Sequence, residues 1–174
     1  MNVKFLNPFL SSASEIFTVE LHETVERGDL HLENDSYVTD DVTVVLSLIG
    51  AIAGTVFYSM SKESAIRLAS TLMGENFTAL DRLAQSGIAE LGNVITGRAS
   101  MKLAEAGYEA NISTPSLIIG KGAMISTLEY TRLVVPLMTS LGSITVHLAL
   151  RESLQTNLKT SQLPVPRAMG ISNG

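Results

Sequence analysis

Apolar positions recur along the chain with two periods, and the changes between them divide it into elements. Phe9, Ala13, Ile16, Phe17 and Leu21 return at helical spacing. Asn7-Pro8 suits the start of that helix, with Asn as N-cap and Pro at the first position, and it is expected to end before Arg27-Gly28. Asp29–Glu33 alternates as a short edge strand, and polar, acidic Asn34–Asp41 reads as a loop. Val42–Ile49 and Gly54–Met60, rich in β-branched and aromatic residues, form an antiparallel hairpin around Gly50–Ala53. Ser61 opens a helix that carries Ala65, Ile66, Leu68, Ala69 and Leu72 and stops at Gly74. The longest helix has Thr78 as cap, with Asp81 in an approximate capping box, and runs to about Glu105 before Gly107. Asn111–Ile119 is extended around Pro115, and Gly120-Lys121-Gly122 is a turn. Ile125–Glu129, Leu133–Met138 and Ile144–Leu150 read as strands.

Beyond Glu152 no apolar period remains, so residues 1–152 are expected to form one domain and 153–174 a polar tail. Gly54-Thr55-Val56-Phe57-Tyr58-Ser59-Met60 compares with Gly142-Ser143-Ile144-Thr145-Val146-His147-Leu148, which suggests two related hairpins in one sheet. The pattern predicts an α/β (α+β) fold: a mainly antiparallel sheet with the long helices packed on one face.

The apolar content of 45% supports a sizeable core. The charged fraction, 17%, is low, as expected for a rigid apolar core or for a surface covered by a partner or a second copy. A net charge of −5 with Lys and Arg spread singly disfavours nucleic acid and anionic membranes, which need clustered cations. There is no Cys, so no disulfide, zinc–thiolate site or thiol nucleophile. Met1–Leu10 lacks signal-peptide features, and the apolar run Val44–Val56 is too short to span a bilayer. A cytoplasmic protein is expected.

One helical face is unusual. With Glu90 at zero, Ser86, Asn93 and Gly97 fall within about 60°, while Leu80, Ala84, Ile88, Leu91 and Ile95 lie on another arc. The apolar arc must face the sheet, so Glu90 and Asn93 face outward. Exposed helix positions favour Lys, Glu, Gln and Arg, yet here Ser86, Gly97 and nearby Gly87 are small. Such a face lets another molecule approach a carboxylate and an amide. It equally admits a neighbouring helix of the same protein.

Ser86-x-x-x-Glu90-x-x-Asn93-x-x-x-Gly97 resembles the signature of the CheC/CheX phosphatases of bacterial chemotaxis and related signalling systems. The order of elements is similar too, from Asn7-Pro8-Phe9 through Thr114-Pro115-Ser116 to about Glu152. CheC-type members carry a second motif on the first helix. Here that stretch reads Ser11-x-x-x-Glu15-x-x-Thr18, with Thr where Asn is required, so the chain resembles the CheX-like branch with one active copy.

The resemblance implies an enzyme that accelerates hydrolysis of the aspartyl phosphate of a CheY-like receiver domain, and a homodimer. It implies no cofactor of the chain's own, with Mg²⁺ held by the receiver. Asn93 and Glu90 would be catalytic: the amide orients the attacking water, and the carboxylate pairs with the receiver's lysine. Ser86 and Gly97 would contact the partner and keep the face flat. The alternative is a docking module that binds a receiver or a flagellar-switch component without hydrolysis. Other chemistries find little support. His22, His31 and His147 lack metal-ligand spacing, no Gly-x-Ser-x-Gly is present, and neither glycine-rich turn is a P-loop. His147 is expected to be a packed or edge strand residue rather than a ligand, and the Met residues to be core.

Overall fold

The computed structural model describes residues 3–34, 36–127 and 130–153. A 3₁₀ turn leads into α1 (Leu6–Glu20), followed by β1 (Glu26–Arg27), β2 (His31–Glu33), β3 (Tyr37–Val38), β4 (Val42–Gly50) and β5 (Ile52–Met60). Then come α2 (Lys62–Met73), α3 (Arg82–Glu105), β6 (Ala110–Ile112), β7 (Ser116–Ile119), β8 (Met124–Ile125), β9 (Arg132–Thr139) and β10 (Gly142–Glu152).

The sheet is built from two hairpins, as the repeat predicts. In β4–β5, Val42 lies opposite Met60 and Leu48 opposite Gly54. In β9–β10, Thr139 lies opposite Gly142 and Leu133 opposite Leu148. The second strands of the two hairpins pair with each other, antiparallel, from Thr145 opposite Ser59 to Glu152 opposite Ile52. β6 and β7 extend the sheet beyond β4, and β1 and β2 beyond β9. The break between β6 and β7 falls at Ser113–Pro115, because proline has no N–H to offer the ladder.

Strand alternation puts Val44, Leu46, Val56, Tyr58, Val135, Val146 and Leu148 on one face, and the helices cover it. Phe9, Ala13, Ile16 and Phe17 of α1 and Ala84, Ile88, Leu91, Ile95 and Ala99 of α3 complete that core. Burying one such Phe or Ile side chain contributes about 1.5–3 kcal/mol. This core draws on buried residues from Phe5 to Leu150, and among the described residues no helix is long and apolar enough to cross a membrane.

Several boundaries differ from the sequence reading. Asn7 and Pro8 lie inside α1, and Phe5 caps it without a side-chain bond. Pro8 is tolerated because the first helical N–H groups have no partner anyway. The helix does end before Arg27-Gly28, at Glu20. Asp81, not Thr78, caps α3, accepting from the N–H groups of Leu83 and Ala84. Tyr37–Val38, expected to be loop, pairs with Met124–Ile125 as a two-stranded ribbon. The strand expected over Ile125–Glu129 ends at Ile125, and Leu128 and Glu129 lie outside the described residues, as does the tail from Leu154. Ser61 does cap α2, accepting from Ser64 N–H.

The sheet face away from the helices carries a buried polar cluster. Tyr37 stacks against the His147 ring, centroids 4.5 Å apart, and its hydroxyl meets Thr43 Oγ1 at 3.0 Å. His147 Nε2 is 3.1 Å from Ser59 Oγ, and buried Arg132 is ion-paired with Glu33. Burial, reinforced by the Arg132 charge, lowers the His147 pKa to about 4. Unfolded His titrates near 6.5, so between these values the unfolded chain binds more protons and stability falls as pH falls. Burial alone would raise the Glu33 pKa, but its bonds to Arg132 and His31 outweigh that and lower it, so its contribution is lost only below the ordinary carboxylate value. About 3 kcal/mol is therefore expected to disappear between pH 6.5 and 4. Urea unfolding at several pH values checks this: His147→Phe should flatten that window, and an unchanged acid limb would refute the assignment.

Candidate active site

α3 is fixed on the sheet by its inner face. A Cβ on Gly92 would lie 2.9 Å from Val44 Cγ1 and 3.3 Å from Tyr58 Cδ2, so glycine lets the helix settle close. Beside it the Tyr58 hydroxyl meets Thr96 Oγ1 at 2.8 Å, while Thr96 donates to the Gly92 carbonyl. This buried pair fixes the rotation of α3, since a roll would leave the Tyr58 hydroxyl buried without a partner.

With the inner face fixed, all four motif residues stand on the outer face of α3. Glu90 and Ser86 are exposed, and Asn93 and Gly97 are half-buried. The Asn93 Nδ2–H donates to Glu90 Oε2 at 3.4 Å. That leaves Asn93 Oδ1 and a second amide hydrogen free to face a partner. Ser86 turns its hydroxyl back to the Arg82 carbonyl, 3.0 Å away, so it adds no projecting group.

The three glycines of the helix serve different ends. Gly87, expected on the open face, is buried: a Cβ there would sit 2.8 Å from Met73 Sδ on α2. Gly92 seats the helix on the sheet. A Cβ on Gly97 would meet only Ile112 Cδ1, at an ordinary 3.8 Å. The fold thus explains two of them and leaves Gly97 to the outer face.

The degenerate copy on α1 is in a different state. Lys102 Nζ lies 2.5 Å from Glu15 Oε1 and 2.9 Å from Ser11 Oγ. Arg98 is within 4.0 Å of both Glu15 and Glu20. Glu90 takes part in none of the ion pairs among the described residues. Sequence reasoning missed this clamp. The available signal was the pair Arg98 and Lys102, at i and i+4 on α3, facing the acidic residues of α1 across the helix pair.

The structure offers no hydrolytic triad at Ser59 and His147. Both are buried, and His147 Nδ1 has no hydrogen-bond partner, so no acid orients the ring. Among the described residues no group of three or more His, Cys, Asp or Glu could hold a metal ion.

The sequence pattern of the family described as chemotaxis phosphatase CheX matches residues 42–138, which include all of α3. A relative from Thermotoga maritima, named CheY-P phosphatase CheX, is 29% identical over 128 residues, covering 73% of this chain and 83% of that protein. Among solved structures, a CheC-like superfamily protein from Shewanella sp. PV-4 has the same fold, with a TM-score of 0.78 and 24% identity over 87% of this chain and 99% of that one. The CheX of a CheX–CheY–BeF3–Mg²⁺ complex from Borrelia burgdorferi superposes with a TM-score of 0.73 at 28% identity, covering 87% of this chain and all of that one. With its motif helix, its paired hairpins and a family pattern matching more than half its length, the chain belongs to the CheX family of chemotaxis phosphatases.

Proposed function

We propose that this protein hydrolyses the aspartyl phosphate of a CheY-like response regulator, in chemotaxis or a related two-component pathway. The observation that carries the reading is the Glu90–Asn93 pair: outward-facing, without an ion pair among the described residues, and set among small residues on a helix bolted to the sheet. The activity named for the Thermotoga relative and the CheY-bound state of the Borrelia relative support it.

A phosphorylated receiver brings most of what the reaction needs. Its Mg²⁺ and lysine neutralise the phosphoryl oxygens, and the transition state is loose. The missing part is a water in line with the leaving carboxylate. Asn93 Oδ1 accepts a hydrogen bond from that water, and the free amide hydrogen reaches a phosphoryl oxygen. The water oxygen bonds to phosphorus as the P–O bond to the aspartate breaks, and the water's proton leaves with inorganic phosphate. Glu90 steadies the Asn93 amide and takes the receiver's lysine with its other oxygen. Mg²⁺ belongs to the receiver, and the chain needs no cofactor of its own. The reading carries with it a cytoplasmic location and a homodimer.

The deciding experiment measures phosphate loss from a panel of phosphorylated receivers of the same cell, with Mg²⁺, with and without the protein. One or more should lose phosphate faster in its presence, and no acceleration of any would refute the reading. Gly97→Ala separates fold from function. Alanine fits the free helix and should raise stability by up to about 1 kcal/mol, yet place a methyl group on the docking face. Slower hydrolysis in a protein that melts higher is the expected outcome; an unaltered rate would remove Gly97 from the contact.

A further inference from the structure

The motif face extends further along α3 than the motif itself. With Glu90 at zero, Leu83 and Met101 both fall near +20° on the helical wheel, on the same meridian as Glu90 and Gly97. Both are exposed, Leu83 by 45% and Met101, against the expectation that it is core, by 67%. A rise of about 1.5 Å per residue puts them roughly 27 Å apart, one about 13 Å and the other about 14 Å from the middle of the Glu90–Asn93 pair. Between them on this stripe stand Ser86, Asn93, Val94 and Gly97, with Glu90 the sole charge. Arg82 and Arg98 lie outside the stripe, near −80° and +80°.

A single exposed Leu or Met is ordinary on a protein surface. Here two stand at matched distances on either side of the Glu90–Asn93 pair, on an otherwise charge-poor stripe continuous with the motif face. A standard interface covers about 800 Å² per partner, a disc with a radius of about 16 Å. Centred on Glu90 and Asn93, such a disc takes in both residues near its edge. A receiver-sized domain of about 120 residues, roughly 35 Å across, spans that length. Methionine is also enriched at interfaces, where its unbranched chain adapts to a partner's contour.

We propose that Leu83 and Met101 are apolar anchors that grip the receiver domain on either side of its phosphoryl group and hold α3 in register while Asn93 enters. The inference rests on the receiver-phosphatase reading. It adds residues that select the partner by the apolar contour around its active site, which Glu90 and Asn93, aimed at groups any receiver would offer, cannot do.

The test compares wild type with Leu83→Gln, Met101→Gln and the double variant. It uses a receiver whose hydrolysis the wild type accelerates and Asn93→Ala does not. The probes are the Kd for that receiver loaded with BeF3 and Mg²⁺, the KM and kcat for its phosphorylated form, and the mass of the protein in solution. Each single change should raise Kd and KM about tenfold, and the pair about a hundredfold, with kcat falling less than twofold. Both positions are exposed, so the melting temperature should not move. If the wild type is active but the double variant keeps its Kd within twofold, the anchors are refuted and the phosphatase stands. If the double variant changes the mass while Kd holds, the stripe belongs to a contact between copies and the proposal falls. If no receiver is accelerated even by wild type, the underlying reading fails and takes the anchors with it.

Discussion

Asn93→Ala is expected to bind a phosphorylated receiver and leave its phosphate almost untouched. Positioning one water against a phosphoryl group that the receiver has already activated is worth roughly 100-fold, or about 2.7 kcal/mol. The side chain is half-buried on the outer face, and its bond to Glu90 is its one described hydrogen bond, so its removal leaves no buried group without a partner. The loss should therefore appear in kcat, with the Kd for a receiver loaded with BeF3 and Mg²⁺ within a few-fold of wild type. Glu90→Ala should behave differently. On the proposed mechanism it removes the carboxylate that would take the receiver's lysine and steady the amide, so Kd and rate should worsen together. A wild-type rate in Asn93→Ala would eliminate water positioning by this residue.

Gly54→Ala is expected to be the most damaging small change to the fold. Gly54 sits where the two hairpins meet, opposite Leu48 on β4 and Leu150 on β10. Its φ is +143°, and a Cβ there would drive into the carbonyl oxygen of Ala149. Backbone strain of about 1–3 kcal/mol adds to a similar steric cost, about 4 kcal/mol in all. With a urea slope of about 2 kcal/mol per M, the midpoint should fall by about 2 M. Gly120 provides the control: its φ is +134°, but nothing lies within 4 Å of the Cβ position. Gly120→Ala should show only the strain. Equal losses at the two positions would rule out the clash with β10.

The strands and helices that pack the core were legible because their apolar periods are strong. The hairpins, the Ser61 cap and the outward Glu90–Asn93 face follow from alternation and from the 3.6-residue turn. Elements held by distant partners were not legible. Tyr37–Val38 is a strand only because Met124–Ile125 lies beside it, and the burial of Tyr37 depends on Phe57 and His147. The glycines of α3 could not be sorted by sequence, since whether a missing side chain serves Met73, Tyr58 or open space is a fact of packing. The grip of Lys102 on Glu15 was hidden for the same reason, as it joins residues 87 positions apart.

That grip has a consequence for stoichiometry. A chain with two working faces would process two receivers, and its rate would reflect both. Here α3 presents one carboxylate outward and, three turns further on, supplies the lysine that occupies the other. The occupied face already holds, from within, the kind of cation that a receiver would otherwise bring to it. Thr18 cannot replace the missing amide even if the lysine swings away. On the proposed mechanism each copy of the chain would engage one receiver, and however many copies assemble, turnover should scale with the number of α3 faces.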